Sequence, residues 1–123
     1  MTKVEVRKAS VTEYRGELIV ACHFEGAKKL EGAALELDRA SGGILSDLLN
    51  HGDFTGKHAQ VSVVYTRGAL PVHRVLLLGL GKKKECDLEK LRRGFSKASR
   101  SVRELGVGEF AIRLDPIGET HSL

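Results

Sequence analysis

The pattern of hydrophobic positions predicts several β-strands in the first two thirds of the chain. Residues 18–22 form a continuous apolar run, which is typical of a central strand buried on both faces. Residues 60–66 are rich in β-branched side chains and residues 74–80 are mostly leucine and valine, so each predicts a further strand. The connection between these two strands, around residues 67–71, is short and contains glycine and proline, which favours a hairpin.

Weaker strand patterns lie near the two ends of the chain. Residues 4–8 alternate apolar and charged side chains, as a half-buried or edge strand does. Residues 109–114 are mainly apolar and predict a last strand. With the three strands above, these segments predict a mixed, mostly parallel sheet of five or more strands.

A long amphipathic helix is predicted between the strands at 74–80 and 109–114. Asp87 is its expected N-cap and Gly106 the residue that ends it. Phe95 stands at the centre of the apolar stripe and is expected to lie against the sheet. A strand, a helix and a strand in this order predict a βαβ crossover with parallel strands. The stripe consists of Leu88, Leu91, Phe95, Ala98, Val102 and Leu105.

A shorter helix is predicted over residues 44–50, directly after Ser41, Gly42 and Gly43. Two glycines at a helix start leave backbone N–H groups accessible, as in phosphate-binding turns. Glycines in this position can also serve only to let the chain enter the helix, with Ser41 as its cap. Both interpretations stay open at this point. A short third helix is also allowed for, and the elements together indicate the α/β class.

Composition places the chain among folded, water-soluble domains. Its 123 residues are 41% hydrophobic and 29% charged, which fits one domain and neither a disordered nor a membrane-embedded chain. We expect a cytoplasmic location and no membrane partner, because the first residues contain no apolar signal-peptide core.

The basic residues are concentrated on the long helix and the turn before it. Residues 82–104 hold nine basic and four acidic residues, whereas the whole chain carries a net charge of only +4. Such a face can attract phosphates or acidic partners. It can equally be a solvated face, since Glu89 and Arg93 have the spacing of a helical ion pair. The candidate anion or nucleic-acid surface consists of Lys82, Lys83, Lys84, Lys90, Arg93, Lys97 and Arg100.

No catalytic, cofactor-binding or metal-ligating residue can be assigned within the chain. Cys22 and Cys86 lie far apart in unlike settings and are predicted to be free thiols. The five histidines are scattered without a metal-ligand spacing. A hydrolase would need a metal-activated water or a nucleophile paired with a base, and the sequence contains neither arrangement.

Several motifs in a fixed order resemble the N-terminal domain of the leucyl aminopeptidases, the M17 or cytosol aminopeptidase family of dimetal exopeptidases. Ser41-Gly42-Gly43 is followed by the turn Gly52-Asp53-Phe54-Thr55-Gly56-Lys57 and then by Gly79-Leu80-Gly81-Lys82. The helical string at residues 88–93 and Glu104-Leu105-Gly106-Val107 complete the match. The resemblance implies a three-layer α/β/α, macro-domain-like fold.

The resemblance also implies a division of labour. In the family, two divalent metals are held by a separate C-terminal catalytic domain whose signature is absent from residues 1–123. The chain is therefore expected to be a non-catalytic accessory domain that contributes to oligomer assembly and to access to the catalytic domain. Its expected partners are that catalytic domain and further copies in a homo-oligomer. Whether the chain is an excised domain or a stand-alone relative stays open.

The alternative is a binding module for nucleic acid or for a nucleotide such as ADP-ribose, the ligand of macro domains proper. It would use the basic helix 87–105 or the glycine-rich turns, because ligands of such folds sit at the carboxyl ends of parallel strands.

Overall fold

The computed structural model describes residues 11–112 of the chain. After a 3-10 turn at Val11–Glu13, the elements in order are β1 (Leu18–His23), α1 (Gly32–Ser41), α2 (Ile44–Asn50), β2 (Val61–Tyr65), β3 (Arg74–Gly79), α3 (Leu88–Glu104) and β4 (Ala111–Ile112). A second 3-10 turn, Lys83–Glu85, leads into α3. The strand predicted at residues 4–8 and the end of the strand predicted at 109–114 lie outside the described residues.

The described strands form one mixed sheet in the order β2-β3-β1-β4. β1 is parallel to both neighbours, with Val20 opposite Leu76 on β3 and Ile112 on β4. β2 is antiparallel to β3, which confirms the predicted hairpin. The predicted crossover is confirmed in strand direction, but β3 and β4 are not neighbours, because the chain passes over β1 on its way between them.

Helices cover both faces of the sheet, so the architecture is α/β/α. Alternate residues of β1 point to opposite faces, as the two-residue period of a strand requires. Ile19 and Ala21 belong to the core shared with α1 and α2, whereas Val20 and Cys22 belong to the core under α3. β1 is buried along its whole length, in agreement with the continuous apolar run predicted for a central strand.

α1 is a ten-residue helix and not the short element allowed for from sequence. It buries Ala33, Ala34 and Leu37 but has a weak start signal, since the side chain of its N-cap residue Glu31 makes no capping hydrogen bond. Because two of its three buried apolar residues are alanines, the hydrophobic pattern of this helix is weak in the sequence. The helix ends where Gly42 adopts a left-handed conformation.

α3 begins and ends where the sequence predicts. The Asp87 side chain accepts a hydrogen bond from the Lys90 amide, and Gly106 has a positive φ of 77°. The predicted face is confirmed for Leu91, Ala98 and Val102, but Gly94 and not Phe95 is the fully buried residue between them. Gly94 lies over Leu78, Phe95 packs against the same core but is only half-buried, and Leu88 is 61% exposed.

Candidate functional site

The carboxyl ends of β1 and β3 are covered by the turn at residues 52–57. Gly81 donates its amide to the Gly56 carbonyl at 2.9 Å, and Glu25 donates to the Gly81 carbonyl at 2.8 Å. At Gly79 a Cβ would stand 2.1 Å from the carbonyl oxygen of Lys57, so only glycine fits there. Ligands of open α/β sheets bind at this edge. In this chain its own backbone occupies much of that edge.

The covering turn forms a small concavity in which three backbone amides converge on one side-chain oxygen. The amides of Thr55, Gly56 and Lys57 donate to one acceptor, Oε1 of Gln60, over 3.1, 3.1 and 3.2 Å. Converging backbone N–H groups of this kind are typical of phosphate sites. Here the side-chain amide of Gln60 takes the place that an anion oxygen would occupy.

The start of α2 is satisfied in the same way. Asp38, on α1, accepts hydrogen bonds through Oδ1 from the amides of Leu45 at 2.9 Å and Ser46 at 2.8 Å. Its Oδ2 also accepts from the Ser46 hydroxyl. The predicted cap is therefore wrong: Ser41 donates its hydroxyl to the Asp38 carbonyl and does not bond to the start of α2.

The candidate phosphate turn at Ser41, Gly42 and Gly43 stays a prediction. Hydrogen bonds within the chain already use several backbone amides that a phosphate would need. Both glycines adopt left-handed conformations. The Gly43 amide donates to the Asp38 carbonyl at 2.8 Å, and the Gly42 amide turns to the Arg39 carbonyl. Because Asp38 already accepts from the Leu45 and Ser46 amides, a phosphate that used these amides would have to displace a carboxylate.

A half-open cleft of about 260 Å³ lies beside Asp38, between α1 and α2. Basic side chains of the loop after β1 and of α1 stand at its rim, and leucines form its floor. Its lining includes Lys28, Lys29, Arg39, Leu30, Leu35 and Leu49.

The basic residues of α3 and of the turn before it are exposed, apart from the half-buried Lys90. Glu89 pairs with Arg92 at 2.6 Å and with Arg93 at 3.0 Å, which confirms the expected Glu89–Arg93 spacing. Hydrogen bonds from Arg92 and then Arg93 lower the pKa of the Glu89 carboxyl. Because the pairs are exposed, they contribute little to stability.

Other members of the candidate surface also have local contacts. The ammonium group of Lys90 lies 3.5 Å from Glu85. That of Lys83 lies 5.6 Å from the centre of the Phe24 ring. Along the described part of the chain, Lys97 and Arg100 have no ion pair. The structure thus brings Lys90, Arg93, Lys97 and Arg100 together on one side of α3, with Lys82, Lys83 and Lys84 before its start.

The thiols and the buried histidine are poorly suited to catalysis. Burial raises the pKa of the Cys22 thiol to about 12 and also raises that of Cys86, so neither forms an appreciable thiolate at neutral pH. Burial lowers the pKa of His23, which favours its neutral form. Both cysteines are free, as predicted. Among residues 11–112 no group of histidine, cysteine and acidic side chains is placed to hold a metal ion.

The described helices include none that is long and apolar enough to cross a membrane.

Two of the site residues, Asp38 and Gln60, were not singled out from sequence. Each acts on backbone amides several residues away. An acidic residue inside a helix and a glutamine before a strand are common, and nothing in the local pattern marks them as caps.

Comparison with known proteins identifies the family. The sequence model of the cytosol aminopeptidase family, N-terminal domain, matches residues 19–122. A probable cytosol aminopeptidase of Roseiflexus castenholzii is 44% identical over 75 residues, covering 61% of this chain and 15% of the relative. One from Methylobacillus flagellatus is 34% identical over 109 residues, covering 89% of this chain and 22% of the relative. The chain thus spans a quarter or less of the length of these relatives.

Solved structures agree on the fold. The macrodomain of Mycobacterium tuberculosis DarG superposes with a TM-score of 0.75 at 16% identity, covering all of this chain and 83% of the macrodomain. A mutant tomato leucine aminopeptidase superposes with a TM-score of 0.69 at 18% identity, covering 95% of this chain and 25% of the enzyme. The predicted macro-domain-like architecture is confirmed. From the family match over most of its length, the chain belongs to the cytosol aminopeptidase family and corresponds to the N-terminal domain of those enzymes.

Proposed function

We propose that the chain is a non-catalytic accessory domain of a leucyl aminopeptidase-type metallo-exopeptidase, contributing to oligomer assembly and to access to the catalytic domain. The two divalent metals of such an enzyme would be held outside residues 1–123. The partners would be the catalytic domain of the same protein and further copies in a homo-oligomer, in the cytoplasm.

The observation that carries this proposal is that potential anion sites at both the sheet edge and the α2 start are filled by the chain itself. Gln60 accepts hydrogen bonds from amides of the 52–57 turn. Asp38 accepts hydrogen bonds from the Leu45 and Ser46 amides of α2. A nucleotide-binding domain would leave such amides free for its ligand. The glycine-rich turn that starts at Gly79 resembles a ligand-binding loop. At Gly79 the missing side chain instead allows the Lys57 carbonyl to pack against the backbone.

An assembly role is supported by large apolar side chains at the surface. Tyr65 is 52% exposed, Leu88 61% and Leu105 36%. Exposed apolar groups near basic residues suit protein contacts, in which aromatic residues and arginine are enriched.

A chimera tests the assembly role. Residues 1–123 would replace the matching segment of the Roseiflexus castenholzii relative, and the chimera would be compared with the intact relative and with a form lacking that segment. We expect the chimera to match the intact relative in mass by light scattering and in leucine-amide hydrolysis with added zinc or manganese. The shortened form should lose the assembly. An unchanged mass and kcat/KM in the shortened form would refute the assembly and access roles.

The isolated chain should not hydrolyse leucine-amide substrates with zinc, manganese or cobalt. Turnover that co-purifies with the chain and is abolished by a chelator would refute its non-catalytic status.

A nucleic-acid-binding module is the second candidate, because Lys90, Arg93, Lys97 and Arg100 recur on one side of α3. Titration of a labelled DNA duplex at several salt concentrations tests it. We expect weak retention that vanishes near physiological salt, where the Debye length is about 8 Å. Affinity below about 1 micromolar in 150 mM salt, lost when these four residues are changed to glutamate, would favour the module instead, since non-specific binding is typically ~100 to 1 micromolar.

A further inference from the structure

Among the described residues, β2 has a neighbouring strand on one side only. In the order β2-β3-β1-β4 this strand is at the margin, and no strand of residues 11–112 pairs with its outer side. The Gln60 carbonyl accepts from Gly79, and Thr66 donates to the His73 carbonyl. Hydrogen-bonded positions alternate along an antiparallel pair, so residues 62 and 64 also face β3. The N–H and C=O groups of Val61, Val63 and Tyr65 therefore point outward.

This edge lacks the usual protection against pairing. Natural edge strands are blunted by lysine, proline, bulges or inward charges. Val61–Tyr65 reads Val-Ser-Val-Val-Tyr and contains no charge and no proline. Ala59 has a positive φ of 65°, but it precedes the strand and leaves the register from Val61 to Tyr65 regular. The backbone can therefore accept one more strand.

The basic side of α3 begins close to the segment that leads into β2. The His58 ring lies 2.7 Å from the Lys90 carbonyl, which fixes that side of α3 above the segment leading into β2. Arg93, Lys97 and Arg100 follow Lys90 at helical spacings of three and four, so they share this side. α3 packs on β3 and β2, so the helix lies on the face of the sheet that ends at the β2 edge.

We propose that the edge of β2 and the basic side of α3 form a docking surface for an extended, acidic segment of a partner protein. The segment adds a strand beside β2 through Val61, Val63 and Tyr65. Every second side chain of the segment faces α3, where its carboxylates meet Lys97 and Arg93. The β-branched side chains between them extend the opposite face of the sheet. In this mode of recognition, main-chain hydrogen bonds provide the affinity and contacts of alternate side chains provide the specificity.

Charge argues against a second copy as the occupant. Two-fold pairing of β2 with itself would set two basic sides opposite each other, and like charges across an interface are unfavourable. An acidic segment meets the same groups with the opposite sign.

The far end of β2 offers a further carboxylate contact. The guanidinium of Arg74 lies 5.5 Å from the centre of the Tyr65 ring. Its Nε and Nη1 are buried and have no acceptor. Arg74 is only partly buried and stands opposite Tyr65 on the face that carries α3. A carboxylate of the docked segment would give this guanidinium an acceptor that residues 11–112 do not provide.

Amide hydrogen exchange tests the docking surface on the intact chain. The probe is a blocked synthetic peptide, Thr-Glu-Val-Glu-Val-Glu-Thr, and its control carries lysine in place of each glutamate. The glutamate peptide should slow exchange at Val61, Val63 and Tyr65 and leave Ser62 and Val64 unchanged. It should bind at least about tenfold more tightly than the lysine peptide, since like charges suppress wrong partners. Unchanged exchange at the three outward amides would overturn the proposal.

A matched pair of variants separates the backbone contribution from the charge. Val63→Pro removes an outward N–H, a change that edge strands tolerate, whereas Val63→Thr keeps it. Val63→Pro should weaken peptide binding by about tenfold or more and Val63→Thr should not, because only the first removes a main-chain hydrogen bond. If Val63→Pro does not fold, Lys97→Glu decides, since it should weaken the glutamate peptide and strengthen the lysine peptide.

Two other results would assign the surface to a different occupant and overturn the proposal. One is a dimer that Val63→Pro dissociates, which would place a second copy on the edge. The other is a DNA duplex that displaces the peptide and binds wild type and Val63→Pro equally, which would assign the basic side to nucleic acid.

Discussion

The carboxylate of Asp38 accepts a hydrogen bond from the Ser46 amide over 2.8 Å and thereby joins the end of α1 to the start of α2. Asp38 is only 7% exposed, so water cannot easily replace this contact. A two-glycine turn brings the two helices close enough for one side chain to serve both. Loss of the carboxylate would leave buried N–H groups unsatisfied, which costs more than the net worth of a hydrogen bond.

Asp38→Ala should lower the free energy of unfolding by about 1 to 3 kcal/mol, the cost of unsatisfied helix-start amides. Ser41→Ala is the matched control, because the sequence pattern suggested Ser41 as the cap. It should change stability by less than about 0.5 kcal/mol. Urea denaturation of both variants measures the difference. Equal losses would mean that Asp38 is not the group that holds α2.

Gln60→Ala should empty the concavity at Thr55, Gly56 and Lys57. We expect a loss of about 0.5 to 1.5 kcal/mol, because water can reach the exposed Thr55 and Lys57 amides but less easily the part-buried Gly56 amide. Phosphate or sulfate should restore part of that stability in the variant, beyond the general stabilisation that these salts give wild type. Thermal melts in phosphate and in chloride of equal ionic strength provide the measurement. The same salt response in wild type and variant would show that the amides do not form an anion site.

Most strands and the long helix could be predicted from sequence because their signals are local. β1 is an apolar run buried on both faces, and α3 carries an explicit cap at Asp87 and a left-handed glycine at its end. α1 ends at a left-handed glycine, Gly42, but has no side-chain cap at its start. The buried line of α3 also includes Gly94, which a hydrophobic pattern gives no reason to place against the sheet.

The roles of the glycine-rich turns and of the capping side chains depend on contacts between distant segments. The hydrophobic periodicity of the sequence gives no information on such contacts. The glycine-rich strings could be found in the sequence, but whether they bind phosphate or pack against backbone was left open. The answer at Gly79 depends on the Lys57 carbonyl, 22 residues earlier in the chain. Asp38 and Gln60 act in the same non-local way, so their capping roles emerge only from the fold.

Gly79→Ala should destabilise the domain strongly. An added Cβ would stand 2.1 Å from the Lys57 carbonyl oxygen, and backbone cannot move aside as a flexible side chain can. We expect a loss of about 3 kcal/mol or more, in the upper range for overpacking. Gly108→Ala is the control: nothing lies within 4 Å of the added atom, and the change should stay below about 0.5 kcal/mol. Chemical denaturation curves that place the two variants together would contradict the close packing at Gly79.

Substitutions along α3 should follow the observed burial of each side chain. Leu91→Ala should cost about 2 to 5 kcal/mol, because Leu91 is buried against the sheet. Phe95→Ala should cost less than the ~3 to 5 kcal/mol of a fully buried phenylalanine, since Phe95 is half-buried. Arg93→Ala should change stability by less than about 0.5 kcal/mol. A larger loss at Phe95 than at Leu91 in urea melts would mean that Phe95 is the more deeply buried of the two, as its place at the centre of the apolar stripe predicts.

His23 should make the domain more stable as pH rises toward neutrality. It is 3% exposed, and burial lowers the pKa of its ring in the folded state. A backbone hydrogen bond to Ala27 and the charge of Glu31 oppose that shift without reversing it. The unfolded chain therefore binds a proton more readily, so stability is fully present above the unfolded pKa of about 6.5 and is lost as pH falls toward the folded pKa.

His51 has the opposite sign. The Asp47 carbonyl, which its ring contacts, and the Asp47 charge raise the pKa of His51, so any stability it adds is present at low pH and lost as pH rises. Urea midpoints at a series of pH values between about 5 and 7, a window set by the usual histidine pKa, separate the two residues. His23→Gln should flatten the rise of stability with pH, and His51→Gln should leave it or make it steeper. A rise that persists unchanged in His23→Gln would mean that the His23 ring takes up its proton inside the folded domain.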